Sequence, residues 1–344
     1  MPTVTAYLLR FRGPLHVAER GVGIEETAEF VHSDTLFSAL CSVIRLGWGD
    51  SELQRWLAPF RAGDPPFLLS SAFPFAGSVR FLPKPHLALP TPPPEDARKR
   101  LRQTRWVSLG LFRALLDGQV PDDAFAPAAF LPEAAAWLLP GERRALPRSF
   151  TRDGQPLWAR DVVPRVAIDR VTNASQVYRS GRLRFGPESG LFVLVDWRDA
   201  RWRSLFETAL AELGQLGLGG LRSTGHGQFT REFEEEIAFP EPATSRGRVT
   251  LSLYAPARSE LAAGVLGPLA RYDLVVRGGW IASPDGASYR RRELRMVSEG
   301  SVVAPPPGTA VLGQLVDVTP AVMRSVHPVY RYGYAFTVPA DLKE

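Results

Sequence analysis

A chain of 344 residues is long for one typical domain and sufficient for two, and with 45% hydrophobic residues it can fill their cores. No apolar run approaches the ~18 residues of a membrane helix. The first apolar stretch is broken by Arg10 and Arg12, which argues against a signal peptide. Cys41 is the sole cysteine, which excludes an intrachain disulfide and any multi-cysteine zinc site and fits a reducing cytoplasm. The formal charge is +5, and of 41 basic residues only Lys84, Lys99 and Lys343 are lysine. Arg forks onto phosphate and stacks on bases better than Lys does. A GC-rich coding bias explains the same skew and the 31 prolines, so charge alone makes an anionic partner only somewhat more expected.

In chain order, Val4–Phe11 reads as a first strand ending at Gly13-Pro14. After the loop "HVAERGVGIEETAEFVH", Ser33 is placed to cap a helix in which Leu36, Phe37, Leu40 and Ile44 recur at helical spacing, with Gly47 closing it. Ser51–Trp56 suits a second short helix. Phe67–Phe75 and Ser78–Leu82 suit strands. Residues 83–161, rich in Pro and Ala, read as an insertion rather than the frame of the fold. Val162–Val171 and Leu191–Asp196 read as strands. A helix follows with Trp202, Leu205, Phe206, Ala209, Leu210, Leu213 and Leu216 on one face. Phe229–Glu235 alternates as a strand.

Pro240, Pro242 and Gly247 mark a linker. Beyond it, "RVTLSLYAPA" restarts with a strand, Ser259–Val265 is helical, and strands dominate in "YDLVVRGGWIAS", "SYRRRELRMVS", "AVLGQLVDVTP" and "YRYGYAFTVP". Without the insertion, the first part runs β-α-β-β-α-β, the order of ferredoxin-like and RNA-recognition modules. The second part opens strand-helix-strand and is expected to be a distorted copy. The expected fold class is therefore α+β, with two ferredoxin-like (RRM-like) domains at 1–239 and 240–344 and a hairpin and large insertion in the first.

Between the last helix and strand of the first part lies "LGLGGLRSTGHGQF", Leu216 to Phe229, with five glycines in the eleven residues 217–227. A dinucleotide fingerprint needs its third glycine at position 222, which is Arg222, and runs strand to helix rather than helix to strand. A Walker A loop needs Gly-Lys-Ser/Thr, and no Lys is near. A helix C-cap at Gly217 and a tight turn need one or two glycines. Gly217, Gly219, Gly220, Gly225 and Gly227, interleaved with Arg222, Ser223, Thr224 and His226, suit close approach to a phosphate backbone.

At this point the chain resembles the RAMP superfamily of CRISPR proteins, which carry such a loop after the second helix of a ferredoxin-like domain. "ERGVGIEETAEFVHSDTLFSAL", "PRVAIDRVTNASQVYRSGRLRF", "RGGWIAS", "MVSEGSVV" and "HPVYRYGYAF" narrow the resemblance to the fourth-subunit family of the type III-A Csm effector complex. That family implies a non-catalytic subunit in antiviral defence. It holds the repeat-derived 5′ tag of the CRISPR RNA and joins the large polymerase-like subunit to the filament of backbone RAMP subunits. The second quoted segment implies a projecting thumb hairpin.

His32-Ser33-Asp34 begins a helix; Ser33 is expected to cap it, and His32 and Ser33 are both candidates for RNA contact. Asp34 would repel a phosphate there. The resemblance puts RNA contact at Arg170 and Asn173, near the thumb, with Val171, Val177 or Tyr178 near a displaced base. Arg98, Lys99, Arg100, Arg102 and Arg105 form a basic run that suits a solvated face and an RNA contact equally. Arg290, Arg291 and Arg292 form another, in which Arg290 and Arg292 share a strand face. The five histidines, 16, 32, 86, 226 and 327, show no metal-ligand spacing, and Asp122-Asp123 lacks the glycines of a polymerase turn. No metal, cofactor or membrane partner is expected. The alternative is a metal-independent RAMP endoribonuclease acting on precursor CRISPR RNA, with His32 or His226 as general acid or base.

Overall fold

The computed structural model describes residues 3–18, 25–242, 245–282, 288–323 and 327–342. Residues 19–24 of the quoted "ERGVGIEETAEF" segment lie outside them. In chain order the elements are β1 (Thr3–Phe11), α1 (Ser33–Arg61), β2 (Phe67–Leu69), β3 (Phe73–Ala76), β4 (Val79–Pro83), α2 (Glu95–Gln103), β5 (Trp106–Ser108), α3 (Leu109–Leu116), β6 (Phe130–Leu131), β7 (Ala136–Trp137), α4 (Arg148–Thr151), β8 (Trp158–Ile168), β9 (Ser175–Phe185), β10 (Ser189–Trp197), α5 (Arg203–Leu216) and β11 (Phe229–Ala238). Then come β12 (Ser245–Thr250), α6 (Arg258–Ala262), β13 (Leu274–Arg277), β14 (Trp280–Ala282), β15 (Ser288–Arg290), β16 (Leu294–Val297), β17 (Val302–Val303), β18 (Leu315–Asp317), β19 (Tyr330–Tyr332) and β20 (Thr337–Asp341). The fold is α+β with several sheets. No helix among the described residues is long and apolar enough to cross a membrane.

The main sheet runs β11-β1-β10-β3-β4-β5-β7-β6, with β2 pairing the far end of β10. β1 lies between β11 and β10, antiparallel to both, and Val4 to Leu9 are all buried. The helices carry their apolar stripes onto it: Leu36, Phe37, Leu40, Val43 and Ile44 from α1, and Phe206, Ala209, Leu210 and Leu213 from α5. Aromatic rings lock the layer, with Trp56 against Phe67 at 5.3 Å and Phe67 against Phe206 at 5.3 Å. The two helices expected over residues 33–56 meet within α1 at Gly49, whose φ of 85° leaves the helical region, and the second runs on to Arg61.

Residues 83–161 are built into the sheet rather than appended to it. β5 pairs β4, β7 pairs β5 in parallel, and β6 closes the edge. Trp106, Phe112 and Trp137 are buried in the same core as β1 and α1. The Pro- and Ala-rich composition concealed this, because a few aromatics spaced far apart supply the packing.

Beyond residue 242, β20, β12 and β17 form a three-stranded antiparallel sheet in the order β17-β12-β20, flanked by the ribbons β13-β16, β14-β15 and β18-β19. Among the described residues this part has one short α-helix, α6. The boundary near residue 240 separates sheets but not cores. Val249, Leu251, Tyr332, Tyr334 and Phe336 belong to the cluster that contains Phe37 and Phe60. Tyr332 lies 4.8 Å from Phe37, and its hydroxyl accepts the Leu69 N–H at 2.9 Å.

Candidate nucleic-acid interface

The glycine loop leaves α5 at Gly217, whose φ of 88° turns the chain. Leu216, the last residue of α5, is 45% exposed, although its spacing placed it on the buried face. The loop then packs on residues 14–17. Gly220 N–H donates to His16 O and Gly227 N–H to Pro14 O, at 2.9 and 2.8 Å. Leu218 N–H donates to Gly227 O at 2.9 Å, closing the loop on itself. A Cβ at Gly219 would stand 2.3 Å from His16 O, and one at Gly227 1.9 Å from Leu218 O. These two glycines answer to approach by the chain itself, not by a ligand. Gly225 alone of the five has nothing within 4 Å of a built Cβ.

Arg222, Ser223, Thr224 and Gly225 form the exposed apex of the loop. Arg222 has no ion-pair partner among the described residues. His226, by contrast, is only 2% exposed. Its Nδ1 meets Thr224 Oγ1 at 3.1 Å, and its Nε2 is buried without a partner among the described residues. Burial, with Arg165, His16 and Arg182 nearby, holds its pKa below the ordinary histidine value despite the Thr224 backbone contact. Residues 14–17 also carry the loop to the β8–β9 ribbon. Leu15 and Leu183 exchange backbone hydrogen bonds, and His16 Nδ1 lies 2.7 Å from Gly181 O.

The β8–β9 hairpin pairs over its full length, from Trp158↔Phe185 to Ile168↔Ser175. At its tip the Asp169 carboxylate accepts the N–H groups of Val171 and Thr172, both at 2.8 Å, and Asn173 takes the left-handed conformation at φ 54°. Arg170 is exposed there, and Val171 is 91% exposed. Val162, Val166, Ile168 and Val177 share one exposed face by register. Tyr178 pairs with Arg165 and points to the other face, so Val177 and Tyr178 cannot flank one base together.

His32 and Ser33 are corrected by the structure. The cap position of α1 is His32, with no side-chain cap, and Ser33 is the first helical residue. Both are buried. Ser33 N–H donates to Ser71 Oγ at 2.8 Å, and Ser33 Oγ accepts the Leu253 N–H at 3.1 Å. His32 Nδ1 meets Glu299 Oε1 at 2.8 Å. Burial would raise the Glu299 pKa, but His32 and Ser71 hold it below its usual value. This pair of residues joins the two parts of the chain and does not face outward with the loop.

The basic runs separate likewise. Arg98, Lys99, Arg102 and Arg105 are exposed, whereas Arg100 pairs with Asp96 at 2.7 Å and lies over Phe130. Arg290 stacks on Trp280 at 4.9 Å, and Arg292 donates to Asp317 O at 2.8 Å. Arg291 turns inward, donating to Ser38 Oγ at 3.2 Å.

There it joins a cluster that sequence reasoning missed. Asp34, fully buried, accepts Arg277 at 3.1 Å and Arg331. Burial would raise the Asp34 pKa, yet the two guanidinium groups hold it far below the carboxylate range. Arg277, Arg291 and Arg331 line a cleft of about 400 Å³ that Gly217, Gly219, Gly220 and Arg222 also line. No local signal marks this cluster, because its members come from α1, β13, β19 and the residue after β15.

Residues 243–340 match the family model described as the CRISPR Csm4 C-terminal domain. Over 315 residues the chain is 29% identical to the CRISPR system Cms protein Csm4 of Thermococcus onnurineus (strain NA1), covering 91% of this chain and 92% of that protein. Among solved structures, it resembles a chain of the Csm3-Csm4 subcomplex in the type III-A CRISPR-Cas interference complex. There the TM-score is 0.65 at 17% identity, over 98% of this chain and 99% of that one. It also resembles a chain of the Csm1-Csm4 cassette in complex with cA4, with a TM-score of 0.60 at 22% identity, over the whole of both chains.

Proposed function

We propose that this chain, similar to Csm4 proteins in its C-terminal family match, its curated relative and its fold, is a RAMP-superfamily subunit of a type III-A Csm complex that holds the 5′ tag of the CRISPR RNA. On this reading it acts in the cytoplasm, without catalysis, and bridges the large subunit to a backbone RAMP subunit. The observation that carries RNA contact is the exposed Arg222–Gly225 apex on a loop whose remaining glycines are packed closely, Gly219 and Gly220 against His16, Gly217 and Gly227 against the loop itself. Such a loop presents a guanidinium, the Ser223 hydroxyl and an open glycine on a backbone already held in place, while the Thr224 hydroxyl donates to Leu221 O at 2.8 Å. The β8–β9 hairpin, as a thumb, supplies Arg170, Asn173 and an apolar tip at Val171, with Tyr178 nearer its base.

The proposed units are residues 1–239 and 240–344. In the first, the last, first and third strands of a β-α-β-β-α-β unit stand side by side as β11-β1-β10, followed by β2 and β3, the ferredoxin-like order. In the second, β20-β12-β17 repeats last, first, third, and an isolated Arg271↔Val302 bridge stands where the second strand belongs. This supports a reduced ferredoxin-like copy whose second helix has shrunk to a turn at Ala321–Met323.

The endoribonuclease reading fares less well. A general acid or base must reach the scissile group, and both His32 and His226 are buried. The test is crosslinking of tag-bearing CRISPR RNA to the full chain, mapped by peptide mass. Crosslinks at 217–228 and 165–182 support the reading; crosslinks confined to other surfaces contradict it. Incubation with repeat RNA in chelator tests the rival, since cleavage lost in His226→Ala or His32→Ala would make the chain a nuclease.

A further inference from the structure

We propose that the cleft between the glycine loop and the C-terminal sheets is a phosphate site that receives one backbone phosphate of the RNA tag. It is formed by Arg222, Arg277, Arg291 and Arg331. The inference rests on the RNA-binding reading and deepens it by naming the group recognised and the residues that recognise it.

Charge carries the argument. Around Asp34 the described residues place three guanidinium groups, from Arg277, Arg291 and Arg331, against one carboxylate. The next carboxylate, Glu299, is engaged by His32 Nδ1 at 2.8 Å and by Ser71 rather than by any of the three arginines. Arg277 is 3% and Arg331 1% exposed. Burying charge without a counter-ion is costly, and proteins seldom retain a cationic surplus without an anion to meet it.

Hydrogen-bonding capacity points the same way. Arg331 donates to Asp34 and to Gly278 O at 2.7 Å, but its Nε is buried without a partner among the described residues. The Arg291 Nε is in the same condition. Both residues line the cleft. Burial pushes the Arg291 pKa down to about 10, so it stays cationic at neutral pH.

The shape fits a nucleotide-sized ligand better than an acidic side chain from a partner protein. The cleft volume of about 400 Å³ exceeds one carboxylate's need. Trp280, half-exposed, lines it with Thr35, Ser38 and Ser42, as do Gly219 and Gly220. Guanidinium forks beside an aromatic ring suit a phosphate with its attached base.

The test uses the full chain and synthetic tag RNAs in which each phosphodiester in turn is replaced by a neutral methylphosphonate. One linkage is expected to weaken wild-type binding about tenfold. The same replacement should cost Arg291→Gln clearly less than it costs wild type, because one of the phosphate's guanidinium partners is already gone. Arg222→Ala, on the exposed loop, provides the same cycle if Arg291→Gln fails to fold. Additive losses at every linkage in both variants overturn the site while leaving tag binding intact. Absence of wild-type tag binding overturns the functional reading itself. Inorganic phosphate is the second arm, compared with chloride at equal ionic strength. Thermal stabilisation by phosphate that is lost in Arg291→Gln, without any coupled linkage, would assign the cleft to free phosphate and contradict the RNA proposal. Competition for the cleft by an acidic peptide but not by tag RNA would assign it to a protein partner and contradict it equally.

Discussion

Asp34, in the first turn of α1, accepts the guanidinium of Arg331 from β19, 297 residues further along the chain. With Arg277 bound to the same carboxylate, this contact closes the N-terminal sheet onto the C-terminal part, beside the Ser33–Leu253 and His32–Glu299 contacts. The residue that sequence reasoning read as repelling phosphate from a helix start is the anchor of an arginine cluster.

Asp34→Ala removes the carboxylate that two buried guanidinium groups share, leaving Arg331 on Gly278 O and Arg277 on Thr35 Oγ1. The expected loss is about 3–5 kcal/mol of stability, the range for breaking one side of a buried pair. Urea denaturation of the full chain measures it. A loss within about 0.5 kcal/mol, the surface range, contradicts the assigned role. In the wild type, the Asp34 pKa is lowered on folding, so its contribution is present above the unfolded value of about 3.9 and is lost as pH falls below it.

The loop glycines divide by what surrounds them. Gly227→Ala places a Cβ 1.9 Å from Leu218 O at a φ of 78°, so it must displace backbone. Gly225→Ala meets only the left-handed strain, of about 1–2 kcal/mol. Thermal melting should therefore rank Gly227→Ala well below Gly225→Ala. Equal melting temperatures would mean that the loop is not packed as described.

His226 gives a pH signature. Its folded pKa is depressed by burial, so the unfolded chain binds the proton more readily. Stability is then full above the unfolded value of about 6.5 and declines as pH falls through it toward the folded pKa. His226→Gln should flatten the stability difference between neutral pH and mild acid relative to wild type. An unchanged slope would place the imidazole in contact with solvent.

At the hairpin tip, Val171→Ala should alter stability by less than about 0.5 kcal/mol, because the side chain is 91% exposed. It should nonetheless weaken tag-RNA binding if Val171 stacks on a base. Arg170→Ala should reduce the salt slope of binding by about 1. Fluorescence anisotropy over a salt series reads both, and wild-type values for both variants would remove the tip from the interface.

The sequence patterns that survived are those set by local periodicity. The stripe from Leu36 to Ile44 and the strand at Val4–Phe11 emerge almost as read, because each depends on its own segment. Ser33 fails as a cap because Ser71 and Leu253, far away in the chain, use its N–H and hydroxyl. The glycine density was legible, but its cause was not. Gly219 and Gly227 are shaped by His16 and Leu218 at distances that only the folded loop defines. The arginine surplus is invisible in sequence because Arg277, Arg291 and Arg331 are separated by 13 or more residues and share no element.

The central claim is that the Arg222–Gly225 apex grips the backbone of the CRISPR RNA tag. The direct measurement is the affinity of the full chain for tag-bearing RNA, with wild type and Arg222→Ala compared across a salt series. Loss of a phosphate contact predicts weaker binding for Arg222→Ala at every tag sequence and a salt slope smaller by about 1. Identical affinity and slope would show that the apex does not touch the RNA, and the loop would then serve only to pack against residues 14–17.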